Sequence, residues 1–394
     1  MNLDLIQSAL REQKLDGWLF YDHHHRDPIA YRILGLNPGM HVTRRWYYLV
    51  PAEGEPRKLV HRIEQGRLDT LPGEKGLYSS WQELEEGLHV MLAGYDRLAM
   101  QYSPRNAIMY VSMVDAGTIE VLREFRKTIV SSANLVSQFE AVLTEEQIAS
   151  HYEAQCSIDH ILAEGFLEVG RRLRPADGSS PQIITEYDLV AWLQDAMRRD
   201  GLEWENGPNV SVNQNSSDSH YEPTAADSKA IRKNDFLLID IWARKQTPGS
   251  CYYDITWTGV VGREPSEREH HVFHTVREAR DATVSLLKDA FAHGTPLAGW
   301  QADDAARQVI RNAGFGEYFT HRTGHNISSE IHGNGANLDN LETHDERLLL
   351  PHTCFSVEPG IYLPEFGVRS ELDMITWPGR AETTGRVQTD LLRI

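Results

Sequence analysis

Apolar residues recur along this chain with two different periods. Residues 17–21 (GWLFY) and 45–50 (RWYYLV) are dense in aromatic and aliphatic side chains, and the second run stops at the turn sequence 51–56 (PAEGEP). Residues 58–63 resume an extended pattern, and between 105 and 125 the apolar spacing turns helical. This first stretch predicts a smaller α/β domain. From Thr144 the pattern changes. Thr144-Glu145-Glu146-Gln147 is a capping box, and Ile148, Tyr152, Ile158, Leu162 and Phe166 continue it as a long helix. A second helix opens at Thr185 with Asp188, runs through Leu189, Trp192 and Leu193, and stops at 198–201. A third opens at Ser266 with Glu269, and a fourth covers roughly 302–313, ahead of Gly314. Strand-rich blocks lie between and after them, at 236–241, 252–261, 354–362 and 367–376. Batches of helices and strands predict an α+β domain in which helices cover a curved antiparallel sheet. The expected division is 1–142 and 143–394.

Composition narrows the setting. With 394 residues, the chain exceeds what one core organises, in keeping with two domains. Its 41% hydrophobic content is ordinary for a globular protein. A net charge of −18 repels phosphate backbones and anionic lipid, so neither nucleic acid nor a membrane surface is an expected partner. Cys156, Cys251 and Cys354 are far apart and form no CxxC, which argues against a disulfide framework or a thiolate zinc site. Asp4 and Glu12 interrupt the stretch where a secretory signal would be apolar, and the longest apolar runs are too short to span a bilayer. A cytoplasmic location is expected.

The candidate chemistry lies in the second domain. Asp240 ends the apolar run FLLID, and Asp254 lies in CYYDITWTG, 14 residues on, room for a strand to turn and return beside itself. A carboxylate in such a run needs a partner, because an isolated buried charge is costly. His321, His325 and His332 fall together in HRTGHNISSEIH, while Glu358 interrupts CFSVEPGI and Glu371 interrupts GVRSELDMIT. Each feature alone has a plain structural explanation, as a cap, a salt bridge or a coincidence among 18 histidines. Jointly, four carboxylates and one imidazole suit hard or borderline divalent ions. Five side chains fill two coordination spheres only if some carboxylates bridge, which holds two metals ~3.5–4 Å apart. In the first domain only 22–27 (DHHHRD) stands out. It is expected to be a solvated loop, with a substrate-facing loop as the alternative.

The ordered set Asp240, Asp254-Ile255-Thr256, His325, Glu358-Pro359-Gly360 and Arg369-x-Glu371 resembles the pita-bread metallopeptidase family. That family includes methionine aminopeptidase, aminopeptidase P, prolidase and the metal-free creatinase. The resemblance covers the second domain, and the first resembles the creatinase-type N-terminal domain of prolidases and aminopeptidases P. It implies that Asp240 binds one metal and His325 the other, that Asp254 and Glu371 bridge, and that Glu358 is a ligand that also handles the proton of the attacking water. His220, in SHYEP, matches the family histidine facing the scissile bond, and His332 the second active-site histidine. His321, Tyr362 and Arg369 match residues near the metals. The implied activity is hydrolysis of the Xaa-Pro bond of dipeptides, with aminopeptidase P activity on longer peptides as the alternative. Mn²⁺ is the implied ion, with Zn²⁺ or Co²⁺ possible. A homodimer is implied, as is an N-terminal domain that caps the cleft and limits peptide length. A metal-free creatinase-like hydrolase and an inactive binding module are disfavoured, because all five ligand types are present. Four departures stand out. The connection between Asp240 and Asp254 carries about three extra residues, and Trp257 replaces an arginine. The stretch before His220 lacks a tyrosine, and GNGANLD after His332 lacks the arginine that holds a dipeptide's carboxylate in several prolidases.

Overall fold

The computed structural model describes residues 1–175, 178 and 180–394, which form two compact units, Met1–Phe139 and Glu140–Ile394. The first unit is built on six strands, Gly17–Asp22, Trp46–Pro51, Arg57–His61, Glu74–Tyr78, Arg97–Met100 and Thr128–Ser131. They form one mixed sheet, in the spatial order fourth, third, second, first, fifth, sixth. The two central strands read as unbroken apolar runs because both faces are covered. Trp18, Phe20, Trp46 and Tyr48 enter one core, and Leu19, Tyr21, Tyr47 and Leu49 enter the other. The helical spacing expected over 105–125 is realised only in Ala116–Glu124; before it stand two single 3₁₀ turns. Arg105 and Asn106 have φ of +58° and +55°, which no continuous right-handed helix accommodates.

The DHHHRD segment is a built loop. Asp22, fully buried, accepts N–H bonds from His25 (3.1 Å), Arg26 (2.7 Å) and Asp27 (3.2 Å) and the Tyr31 hydroxyl at 2.8 Å. Asp27 then caps the helix Pro28–Leu34. The aspartates build the turn, and His24, His25 and Arg26 meet solvent.

In the second unit the helices begin at the expected caps: Glu145–Leu173 at Thr144, Glu186–Arg199 at Thr185 and Glu267–His293 at Ser266. Ahead of the first cap, Leu143 packs beside Cys251 and Ile327 and donates its N–H to His352 O at 2.7 Å. The fourth helix is Gly299–Asn312. The strands Phe236–Lys245 and Tyr253–Val260 form a long antiparallel hairpin, flanked by Asn209–Val212 on one side and Leu392–Arg393 on the other. A second, antiparallel sheet joins Asn326–Ile327, Cys354–Val357, Leu372–Trp377 and Arg380–Thr384 in that order. The first helix pair covers the hairpin, through Ile158, Leu162 and Leu193 against Ile239, Ile241 and Ile255. The second pair covers the other sheet, through Leu287 and Ala302 against Phe355 and Met374.

Two expectations about the strands are corrected. Asp240 does not end its strand, which continues to Lys245 because the hairpin partner stays paired to Ala243 and Leu202–Glu203 then pairs with Arg244 and Lys245. Glu358 and Glu371 lie at breaks, between Cys354–Val357 and Gly360–Tyr362 and between Gly367–Arg369 and Leu372–Trp377. Pro359 has no N–H to give a ladder, and Glu371 N–H points at Thr256 O (3.3 Å) in the hairpin.

Candidate metal centre

Hairpin register brings the first carboxylates together. Asp240 pairs with Thr256 and Trp242 with Asp254, so Asp240, Asp254 and Thr256 share one face. Ile239, Ile241 and Ile255 take the other face, under the helices. Trp257 packs with that apolar set, on the face away from the carboxylates. The connection 246–252 between the two strands lies outside the paired register.

The end of the second sheet delivers the glutamates. Val357 pairs with Leu372 as the last rung, which leaves Glu358 and Glu371 facing each other beyond it. Glu358 N–H donates to Thr323 O at 2.7 Å, tying this rung to the histidine loop. That loop crosses the sheet closely: His325 N–H donates to Ser356 Oγ (3.0 Å), and Ser356 N–H to His325 O (2.9 Å). A Cβ on Gly324 would lie 1.9 Å from Ser356 O, so only glycine permits the crossing. Asp303 and Arg307, one turn apart on Gly299–Asn312 and both buried, hold the loop from behind. Their ion pair is 2.8 Å long, Thr323 N–H donates to Asp303 Oδ1 (2.9 Å), and Arg307 donates to Phe319 O and His321 O.

The ligand atoms of Asp254, His325 and Glu371 all lie within 4.8 Å of one another. His325 Nε2 is 3.6 Å from Asp254 Oδ2 and 3.5 Å from Glu358 Oε1. Thr256 Oγ1 lies 2.9 Å from Asp240 Oδ1 and 2.6 Å from Glu371 Oε2, so its single proton is shared between two carboxylates. Arg369 pairs with Asp240, donates from Nε to Thr256 Oγ1 (3.0 Å), and stands 3.8 Å from Glu358 Oε2. All five expected ligands therefore meet in one buried place.

The electrostatics show what this place lacks. Burial first, and then Asp240, Asp373 and Glu358, push the Asp254 carboxyl well above its usual range. Burial and then Asp254, Glu358 and Asp240 do the same to Glu371. Burial, opposed by Arg369 and reinforced by Asp240, brings Glu358 to about 7. Asp254 Oδ1 and Glu371 Oε1 are buried without a hydrogen-bond partner. Four clustered carboxylates, two of them with an orphaned oxygen, call for cations at this spot, and the O/N donor set suits divalent ones. Burial, then His332 and Arg322, hold His325 well below its ordinary value and so in the neutral, ligating form.

The remaining expected residues divide. His321 Nδ1 meets Arg322 O at 2.7 Å, which leaves Nε2 to accept the Tyr362 hydroxyl (2.7 Å). Arg369 Nη1 donates to that same hydroxyl at 3.2 Å. Burial, then Arg369, push His321 down to about 3. His321 and Tyr362 thus buttress Arg369. His332 stacks edge-on against His325, ring centroids 4.4 Å apart. His220 stands further out, exposed, its N–H on Asp218 Oδ1. The sequence reasoning missed Ser356, Asp303 and Asp373, whose Oδ2 accepts Asp254 N–H at 2.8 Å, and it gave no role to Thr256. Thr256, two residues after Asp254, was findable by strand alternation; Asp303 offered only an i, i+4 partner in Arg307.

A model of metallopeptidase family M24 matches residues 156–376. A putative Xaa-Pro aminopeptidase of Mycoplasma genitalium is 30% identical over 195 residues, 49% of this chain and 50% of that one. An Xaa-Pro dipeptidase of Pyrococcus furiosus is 31% identical over 168 residues, 42% of this chain and 44% of that one. The alignments span about half the length of these relatives. The crystal structure of dipeptidase PepE from Mycobacterium ulcerans superposes with a TM-score of 0.68 at 21% identity, over 99% of this chain and 96% of that one.

Proposed function

The chain belongs to metallopeptidase family M24, and from that premise we propose that it is a two-metal exopeptidase that hydrolyses the Xaa-Pro bond, above all of dipeptides. The observation that carries the reading is the meeting of Asp240, Asp254, His325, Glu358 and Glu371, with orphaned carboxylate oxygens, at the junction of the hairpin and the second sheet. The named dipeptidase and aminopeptidase relatives support it. Asp240 would hold one divalent ion and His325 the other, with Asp254 and Glu371 shared between them and Glu358 completing the set. Mn²⁺ is the proposed ion, with Zn²⁺ and Co²⁺ compatible with the same donors. When bound, the ions supply Lewis-acid polarisation of the scissile carbonyl and lower the pKa of the attacking water.

The chain's own residues do the rest. Glu358 takes the water proton on its carboxylate and passes it to the leaving imino nitrogen. Its raised pKa follows from burial. His332, and His220 beyond it, donate toward the oxygen that gains charge as the carbonyl is attacked. Arg369, braced by Tyr362 and His321, keeps Asp240 in place. Replacing His332 by alanine is expected to lower kcat by ~10²–10³, the usual effect of losing one preorganised donor, while metal content stays unchanged. Loss of a metal equivalent in that variant would make His332 a ligand and overturn its role.

The reading is tested with an Xaa-Pro dipeptide and its Xaa-Pro-Yaa extension at saturating Mn²⁺. The dipeptide is expected to be cleaved at least as well. A tripeptide preferred by more than about tenfold, ~1.4 kcal/mol in transition-state binding, would identify aminopeptidase P activity instead. The absence of an arginine after His332 is the observation that favours this second reading. A homodimer in the cytoplasm completes the proposal, supported by the family resemblance and the cysteine usage. No helix among the described residues is long and apolar enough to cross a membrane.

A further inference from the structure

Among the described residues, three groups bring three or more His, Cys, Asp or Glu ligand atoms within 4.8 Å of one another. Asp254, His325 and Glu371 belong to the centre above. His151, Cys354 and Asp373 are buried, but both His151 nitrogens are engaged, Nδ1 with Tyr252 O at 2.6 Å and Nε2 with Thr384 Oγ1 at 2.9 Å. The third group is His270, His274 and Asp390, and its chemistry is of another kind. We propose that it is an additional divalent-metal site, outside the family centre, that takes one ion of the Zn²⁺ class.

His270 and His274 are four residues apart on the helix Glu267–His293 and so lie on one face, ring centroids 5.8 Å apart. Asp390 reaches them from the C-terminal segment, its Oδ1 3.6 Å from His270 Nδ1. Two donors bound at ~2.0–2.2 Å to a tetrahedral zinc lie roughly 3.4 Å apart, so this pair is already near ligand spacing. The approach is fixed by the surrounding chain. Arg277 donates to Thr389 O and Arg280 to Gln388 O, both at 2.8 Å, and Leu391 N–H donates to Asp390 Oδ1 at 2.8 Å. The two arginine bonds lay the segment along the helix before any ion arrives, and the third orients the Asp390 carboxylate. Two imidazoles and one carboxylate select borderline ions such as Zn²⁺ over Mg²⁺ or Ca²⁺, and the half-exposed setting leaves a coordination position to water.

Such an ion would staple the C-terminal segment to the helix. That segment ends in Leu392–Arg393, which pairs with Gly259 and Val260 at the end of the strand that carries Asp254 and Thr256. Its role is therefore structural, and it involves no residue of the centre.

The test is equilibrium dialysis of the full-length protein, loaded at its centre, against micromolar Zn²⁺, with metal analysis of the wild type, H270A/H274A and D390N. The wild type is expected to retain one Zn²⁺ equivalent more than H270A/H274A, and D390N to hold that equivalent about tenfold more weakly or worse. Zn²⁺ is also expected to slow amide exchange in 391–394 in the wild type only. A defect at the family centre would lower metal in all three proteins alike, so the difference reads the new site alone. Equal Zn²⁺ uptake by the wild type and H270A/H274A overturns the site, and unchanged affinity in D390N overturns Asp390 as a ligand.

Discussion

Asp254→Ala and Glu371→Ala are each expected to yield a folded protein that retains at most one metal equivalent at this centre and has lost hydrolytic activity by about 10³-fold or more. The proposed roles make these two carboxylates the shared ones, so removing either opens both coordination spheres at once. Folding should survive. Each side chain has an oxygen without a hydrogen-bond partner, and burial among other carboxylates pushes both carboxyl groups well above their usual range. Without metal, these groups strain the unit, and deleting one relieves repulsion among its neighbours. The anchors also persist, since Asp254 N–H still donates to Asp373 Oδ2 and Glu371 N–H to Thr256 O. Metal analysis beside circular dichroism checks the prediction. A fully active Asp254→Ala protein holding two metals would end the bridging assignment.

Asp303→Ala should act the opposite way, through the scaffold. Asp303 is fully buried, paired with a buried Arg307, and bonded to the backbone N–H groups of Thr323 and Asn340. Removing one partner of a buried pair strands the other charge, at a cost of ~3–5 kcal/mol. At roughly 2–4 °C per kcal/mol for a unit of this size, the melting transition of Glu140–Ile394 should fall by ~6–20 °C. The loop from Phe319 to His325 loses its rear support at the same time, so affinity for the ion at His325 should fall even where the protein remains folded. Calorimetry and metal titration of Asp303→Ala beside Asp303→Asn separate the two effects. A melting transition within about 1 °C of the wild type would show that Arg307 and the loop find other partners.

The contrast between these two variants marks what the sequence holds and what it does not. The chain's own pattern determined where three long helices of the second unit begin, because a capping box closes within four residues. It singled out four carboxylates and a histidine cluster as anomalous in or beside apolar runs, while their roles as ligands were implied only by the family resemblance and are part of the proposal. It even placed Asp240 beside Asp254, since a hairpin is a local structure and strand alternation assigns faces. The tertiary structure decided the rest. Glu358 and Glu371 face each other only because Val357 and Leu372 form the last rung of a ladder, and nothing near either residue states where that ladder ends. Thr256 meets Glu371 across 115 residues, and Asp303 meets Thr323 from a helix whose own periodicity accounts for it as an ordinary salt bridge. His270 and Asp390 are separated by most of the second half of the chain and share no motif. Local rules fix the backbone's elements because their hydrogen bonds close over a few residues. Which side chains then become neighbours is settled by packing whole sheets and helices, a property of the folded unit and of no segment within it.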